Sequence, residues 1–226
     1  MSKKTGFTFG EFLIAFVVIG IVAVLTIPLL LKFQHDKDIV SGLEGVRATL
    51  AQATKMAETH IGYIEEWDLE SMNSTEAFER YYKPYLQIGI NCTGSSNHNC
   101  WQPTHNFING ELADGGAKYG ITGSPDVSFT ISNGTNLTLT KVKNIDEKLG
   151  VEGNLSGYIV FMADVNGNKE PNKIGHDVFS FVLTENGIVP AGTDNDSSNC
   201  IKGSNLSDDY WDCSAKVLNE RKRDYI

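Results

Sequence analysis

Apolar residues run without a charge from Phe12 to Leu31, and from Val40 onward the apolar positions recur in steps of three and four. Twenty residues of α-helix rise ~30 Å, about the thickness of a bilayer's hydrocarbon core. The first stretch is therefore of membrane length. In the second, Val40, Leu43, Val46, Leu50, Ala53, Ala57 and Ile61 mark one helix face, while Glu44, Arg47, Gln52 and Lys55 keep the other face polar. The pattern predicts one long helix, apolar all round at first and amphipathic afterwards. Pro28 lacks an amide hydrogen and crowds the preceding turn, so it predicts a kink or a local unwinding. Gly42 and Gly45 weaken the second half, and Gly62 is its predicted carboxyl cap.

Beyond the helix the period changes. Asn73-x-x-Glu76 is a capping pattern that opens a short helix through Ala77-Phe78-Glu79-Arg80-Tyr81-Tyr82, stopped before Pro84, with its aromatics in the core. Residues 84–124 are rich in Gly, Asn and Ser and read as loops with short strands. Val127, Phe129 and Ile131 then alternate with polar residues, Asn133-Gly134 makes a turn, and Leu137 and Leu139 alternate with threonines, which predicts a hairpin. A second pair covers Tyr158 to Ala163 and Asp177 to Leu183, with Phe179, Phe181 and Leu183 on one face. The expectation is an α+β fold: the long helix packed on an antiparallel head sheet of about four strands. No internal repeat is evident.

The chain has 226 residues and a formal charge of −9, a surface that repels phosphate backbones, so direct nucleic-acid binding is not expected. The single basic run, Arg221-Lys222-Arg223, reads as a solvated tail. Four cysteines, Cys92, Cys100, Cys200 and Cys213, make an even number in a chain whose helix points to export, and two disulfides are the default. Four cysteines allow three pairings; the short separations favour Cys92 with Cys100 and Cys200 with Cys213. The second pair would bound a carboxyl-terminal loop. Zinc is the alternative, because His98 and His105 bracket Cys100, although no CxxC or HExxH spacing occurs. Within the second loop, Tyr210 and Trp211 fit either a partner contact or a pin onto the sheet.

The chemistry at the amino end is unusual. Lys3-Lys4-Thr5-Gly6 is a short basic leader, Phe7-Thr8-Phe9-Gly10 follows, and Glu11 stands directly before the apolar run. An ionisable group inside a bilayer is costly, up to ~3 kcal/mol at its centre, and needs a cationic partner. Lys3 and Lys4 flank one side, while Lys32, Asp36, Lys37 and Asp38 nearly cancel on the other, so the leader is expected in the cytoplasm.

These residues resemble the class III signal of type IV prepilins and type II secretion pseudopilins, in which a prepilin peptidase cuts between glycine and phenylalanine and methylates the new amino terminus. Gly6 matches the residue before the cut, Phe7 the methylated residue, Thr8 the usual threonine and Glu11 the glutamate used in assembly. Gly20 and Pro28 fall where pilin helices carry weak points. Phe9, Gly10 and Phe12 depart from the usual Leu, Ile or Val, and Leu. The resemblance implies a cleaved leader over 1–6, a membrane and filament-core helix over 7–31, its amphipathic continuation over 32–62, and an α+β head over 63–226. Removal of two lysines takes the charge from −9 to −11 before the new amine is counted. It further implies a structural, non-enzymatic subunit of a type IV pilus or type II secretion pseudopilus that requires no cofactor. Its partners would be other copies and related pilin subunits, the prepilin peptidase, an inner-membrane assembly platform, and membrane lipid before assembly. Its place would be the bacterial inner membrane, single-pass with the amino terminus cytoplasmic, and then a periplasmic or cell-surface filament. The carboxyl-terminal disulfide-bounded loop is also similar to that of many type IV pilins.

One further motif is Asp164-Val165-Asn166-Gly167-Asn168-Lys169-Glu170-Pro171-Asn172, followed by Asp177. Alternate residues of a tight loop bring oxygens together, so Asp164, Asn166, Asn168 and Asp177 are candidate calcium ligands, although an EF-hand's glycine and final glutamate are missing. The competing reading is an Asx-rich hairpin turn. An anchored extracytoplasmic enzyme or ligand-binding protein is the rival for the whole chain; no GxSxG, HExxH or phosphate-loop pattern supports it.

Overall fold

The computed structural model describes residues 6, 8–94, 100–101, 106–107, 125–196, 200, 210–223 and 225. Helix α1 runs from Phe9 to Ile61, unbroken through Pro28, so the expected unwinding at that proline is absent. The chain divides into two compact units, residues 1–38 and 39–226. In the first, large apolar side chains from Phe9 to Phe33 are exposed. In the second, Ile39, Val40, Leu43, Val46, Leu50, Ala53 and Ala57 are buried, the face that the three-and-four spacing marks. Full burial of such a side chain contributes ~1.5–3 kcal/mol, which outweighs the helix-weakening of two glycines. The helix stops where expected: the Gly62 N–H donates to the Glu58 carbonyl, 3.0 Å, and Gly62 adopts φ +118°.

After α1, Asn73 and Glu76 form the reciprocal capping box that starts α2, Ser74–Ala77: each side chain accepts the other's backbone N–H at 2.9 Å. The expected helical continuation widens into a π-turn over Phe78–Tyr82, closed by the Lys83 N–H on the Phe78 carbonyl at 2.9 Å. This wide turn carries three buried rings. Phe78 stacks on Phe129 with centroids 4.9 Å apart, Tyr81 on Trp67 at 4.3 Å, and Tyr82 meets Phe161 edge-on at 4.8 Å. The Tyr82 hydroxyl lies 3.1 Å from Thr54 Oγ1 of α1, which ties helix, turn and sheet together.

The sheet is larger than the four strands expected. Its centre is the antiparallel run β3 (Ser128–Ile131), β4 (Asn136–Val142), β5 (Tyr158–Asp164) and β7 (Val178–Thr184), the two pairs read from the alternation. β1 (Ile88–Asn91) joins β3 at one edge. The far edge of β7 is shared by β8 (Gly187–Pro190) and the two-residue β6 (Lys173–Ile174), which in turn pairs in parallel with β2 (Asn106–Phe107). Between β8 and β6 the Ser180 N–H of β7 donates to Ser214 Oγ of α3 (Cys213–Glu220), 2.9 Å, so a helix start completes the edge. Every residue of β5 and β7 is buried, on both faces of the sheet. Leu139, Phe161 and Phe181 lie in register on the face toward Tyr82, and Thr138, Met162 and Ser180 on the other.

Both disulfides are those favoured by spacing, Cys92 with Cys100 and Cys200 with Cys213. These sulfurs are thus no zinc thiolates; His98 and His105 lie outside the described residues. The basic run is solvated only at Arg221 and Lys222, which are exposed. Arg223 is buried and donates to the His176 carbonyl, Arg221 pairs with Glu44 of α1 at 3.1 Å, and Lys222 with Glu220 at 3.6 Å. Tyr210 and Trp211 are buried too, with Lys148 Nζ 4.7 Å from the Trp211 ring centroid, so they hold the carboxyl-terminal segment in place.

Candidate functional site

Two places carry the candidate chemistry, and each belongs to one unit of the chain. At the start of α1, Thr8 is the residue before the helix, and the Phe12 N–H reaches its carbonyl at 3.2 Å. Glu11 closes a capping arrangement with it. The Thr8 N–H and Oγ1 both donate to Glu11 Oε2 at 2.8 Å, and the Glu11 N–H donates to Thr8 Oγ1 at 3.3 Å. The sequence signal for this is Thr-x-x-Glu, the capping-box spacing, at a glutamate for which a cationic partner is the expectation. The carboxylate therefore accepts from the Thr8 amide and hydroxyl at its own helix end, where backbone N–H groups have no intrahelical acceptor.

Gly6 is exposed, and a methyl group placed on it would meet nothing within 4 Å. Phe7 lies outside the described residues. The helix that follows is long and apolar enough to cross a membrane: its best 18-residue window has a mean hydropathy of 3.0 and none of it is buried. Phe9 is 77% exposed and Leu25 71%. Such contiguous apolar area is far beyond what a water-soluble surface carries.

The second place is the loop from Asp164 to Asp177, between β5 and β7. Both carboxylates are fully buried. Asp177 accepts the Lys173 N–H at 2.6 Å on one oxygen, and the Asn172 N–H at 3.0 Å and Asn166 Nδ2 at 3.1 Å on the other. It is the acceptor around which the loop turns. Asp164 accepts the backbone N–H groups of Asn166 and Gly167, yet burial first and the neighbouring Asp177 second push its carboxyl up to about 9. Of the four expected ligands, Asp164, Asn166 and Asp177 come together. Asn168 does not join them through the same contacts: its Oδ1 accepts Asn136 Nδ2 from β4 at 2.7 Å. Asn172, a residue of the motif that was not among the expected ligands, takes a place in the group. It is 9% exposed, its φ is +48°, and its side-chain amide lies 2.9 Å from Asp164 Oδ2 and 3.1 Å from the Lys169 carbonyl oxygen, so that its nitrogen donates to both.

The loop is fixed from several sides. Gly42 of α1 sits so close that an added methyl would lie 2.3 Å from Val165 Cγ1, and one on Gly167 would lie 2.7 Å from the Gly134 carbonyl. At the far end the Tyr225 hydroxyl donates to the Gly175 carbonyl at 2.6 Å, beside the Arg223 contact to His176. A groove elsewhere on the head is lined, among the described residues, by Thr49, Gln52, Met56, Tyr85, Gln87 and Asn133 with no histidine or carboxylate. Comparison with family models, with curated proteins and with solved structures gave no match for this chain.

Proposed function

We propose that the chain is the precursor of a filament subunit, cut between Gly6 and Phe7 and polymerised through α1, of the type IV pilin or type II secretion pseudopilin kind. The observation that carries this reading is the junction itself: a Gly-Phe bond preceded by two lysines and followed at once by Thr8, Glu11 and an exposed apolar helix. A secretory signal would place its cleavage site after the apolar run, whereas here the small residue precedes it. Cleavage there leaves the helix on the mature chain and creates a cation four residues from Glu11. Methylation of that amine keeps its charge. In a filament the cation of one copy would meet Glu11 of the next, so the charge mismatch in the bilayer is relieved by assembly.

The structure supports this reading in two respects. The apolar part of α1 is unburied within the chain and continues as the same helix into residues buried in the head. The capping contacts of Thr8 hold the Glu11 carboxylate at the helix end, where a neighbouring amine can reach it. The filament then serves as the partner that covers the stem, in place of lipid, and a peptidase and an assembly machine supply the chemistry.

The substitution Glu11→Gln tests the charge without removing the cap, because the amide oxygen still accepts from Thr8. The variant is expected to be cleaved like the natural chain and to fail in incorporation. Normal filament yield from Glu11→Gln would refute the charge-pairing step.

A further inference from the structure

We propose that Asn154 is a modification site, the acceptor of an N-linked sugar chain delivered from a polyprenyl-diphosphate donor. This rests on the extracytoplasmic placement of the head and not on polymerisation. Asn-x-Ser/Thr is the acceptor pattern of such transfer, and in this chain triplets of that form begin at Asn73, Asn91, Asn133, Asn136, Asn154 and Asn195. A further one, at Asn205, lies outside the described residues. The fold ranks the others.

Transfer requires that the asparagine amide and the hydroxyl two residues on be presented together to an enzyme, on backbone that can leave its place without unzipping a ladder. Asn136 and Thr138 are both buried in β4, and the Asn136 amide is engaged with Asn168 Oδ1 at 2.7 Å. Asn73 caps α2, so its triplet runs into a helix. Asn91 ends β1 and is followed by the buried Cys92, bonded to Cys100. Asn133 is exposed, but Thr135 is buried and its hydroxyl donates to the Val165 carbonyl at 3.4 Å. Asn195 donates to the buried Asp212 at 3.0 Å and lies against Gly150. At Asn154 the requirements are met together. Asn154 and Ser156 are both exposed, and residues 151–157, between β4 and β5, belong to no helix or strand. The amides of this stretch are held by side chains: the Glu152 N–H donates to Asp194 Oδ2 at 2.7 Å, the Asn154 N–H to Glu185 Oε2 at 3.1 Å and the Leu155 N–H to the Tyr158 hydroxyl at 3.0 Å. Such bonds open locally while the sheet stays intact.

The same stretch carries a second feature. Of the triplets named, only this one has a carboxylate two residues before its asparagine, the exposed Glu152. On an extended acceptor that charge lies ~7 Å along the chain from the asparagine, a separation that a cationic groove in a transferase reads as an added contact. Beside Asn154 the surface forms a groove lined by Glu185, Asn186, Thr193 and Asp194, polar side chains suited to sugar hydroxyls. In the transfer itself, Asn154 Nδ2 forms a bond to the anomeric carbon of the donor's first sugar, and the bond from that carbon to the diphosphate breaks. The diphosphate leaves with the electron pair, and the Nδ2 proton passes to a base of the transferase.

The test is production of the full chain in a bacterium that carries a membrane oligosaccharyltransferase, a polyprenyl-linked oligosaccharide of known mass and a reference acceptor protein, followed by mass analysis of its peptides. The peptide holding Asn154 is expected to carry one oligosaccharide, located on that residue by fragmentation. Asn154→Gln and Ser156→Ala are expected to lose it, Ser156→Thr to keep it, and Glu152→Gln to lower its occupancy severalfold. An unmodified Asn154 overturns the proposal when the same chains have formed Cys92–Cys100 and Cys200–Cys213 and the reference acceptor is glycosylated, because the head has then met the donor. Sugar at Asn91 or Asn133 in place of Asn154, or a Ser156→Ala variant modified as fully as the natural chain, overturns it too. Glycosylated chains that retain residues 1–6 beside an active prepilin peptidase would support this site while contradicting the filament reading.

Discussion

Gly42 and Gly45 stand three residues apart on one helix, and the same substitution should act on them with opposite sign. A methyl on Gly42 would lie 2.3 Å from Val165 Cγ1, a stiff β-branched side chain, whereas one on Gly45 would find only Asn133 Nδ2 at 3.9 Å. Gly45→Ala is therefore expected to stabilise the chain by about 0.5–1 kcal/mol through helix propensity. Gly42→Ala is expected to lose about 1–3 kcal/mol by overpacking, in spite of the same propensity gain. Urea or thermal unfolding of both variants measures the difference. Asp164 gives a second prediction. Its folded value, about 9, lies above the ordinary 3.8, so its contribution is fully present below pH 4 and is lost as pH rises toward 9. Melting temperature should fall across that range, and Asp164→Asn should flatten the fall. At this scale the sequence was partly legible. Asp164, Asn166 and Asp177 were marked by residue type and spacing, but Asn168 was diverted by Asn136, thirty-two residues away, and Asn172 was drawn in by a left-handed turn. Neither effect is local. The capping contact between Thr8 and Glu11 was local, and its spacing was there to be read.

Among the elements, those written in short-range signals came through: the stop at Gly62, the capping box at Asn73, the turn at Asn133-Gly134 and the four central strands. Asn73→Ala should remove one side of that box at a cost of ~1 kcal/mol, seen as a melting temperature lower by about 2–4 °C. The elements that escaped are those that exist because of distant partners. β6 is two residues long and survives because it lies between β7 and β2, and β1 is held by β3. The π-turn at Phe78–Tyr82 appears where three rings must reach Trp67, Phe129 and Phe161 together, a demand that helix propensity does not record. Burial of β5 and β7 on both faces blurs the alternation that a one-sided strand would show. The carboxyl-terminal disulfide belongs to this scale as well. Replacing Cys200 and Cys213 by Ser should lower stability by ~2–3 kcal/mol on the loop-entropy account. It should also expose Trp211, now fully buried, so its fluorescence is expected to shift to the red.

For the whole molecule the division is between a stem whose apolar surface the chain does not cover and a head with its own core from Ile39 onward. The α+β architecture was legible because a long amphipathic helix followed by alternating strands has few ways to bury its faces. The basic run near the carboxyl terminus was misleading at Arg223 alone, since charge composition says nothing of where an arginine's donors go. Arg223 lies buried with its donor on the His176 carbonyl, and Arg221 reaches Glu44. The head can fold by the same forces in any anchored protein, so the filament reading rests on the amino end. Its most direct test is mass analysis of the amino terminus of the chain made with and without a prepilin peptidase. With the peptidase the mature chain is expected to begin at Phe7 and to carry one added methyl group, and without it to retain residues 1–6. Retention of the leader beside an active peptidase, or cleavage after the apolar run, would contradict the account.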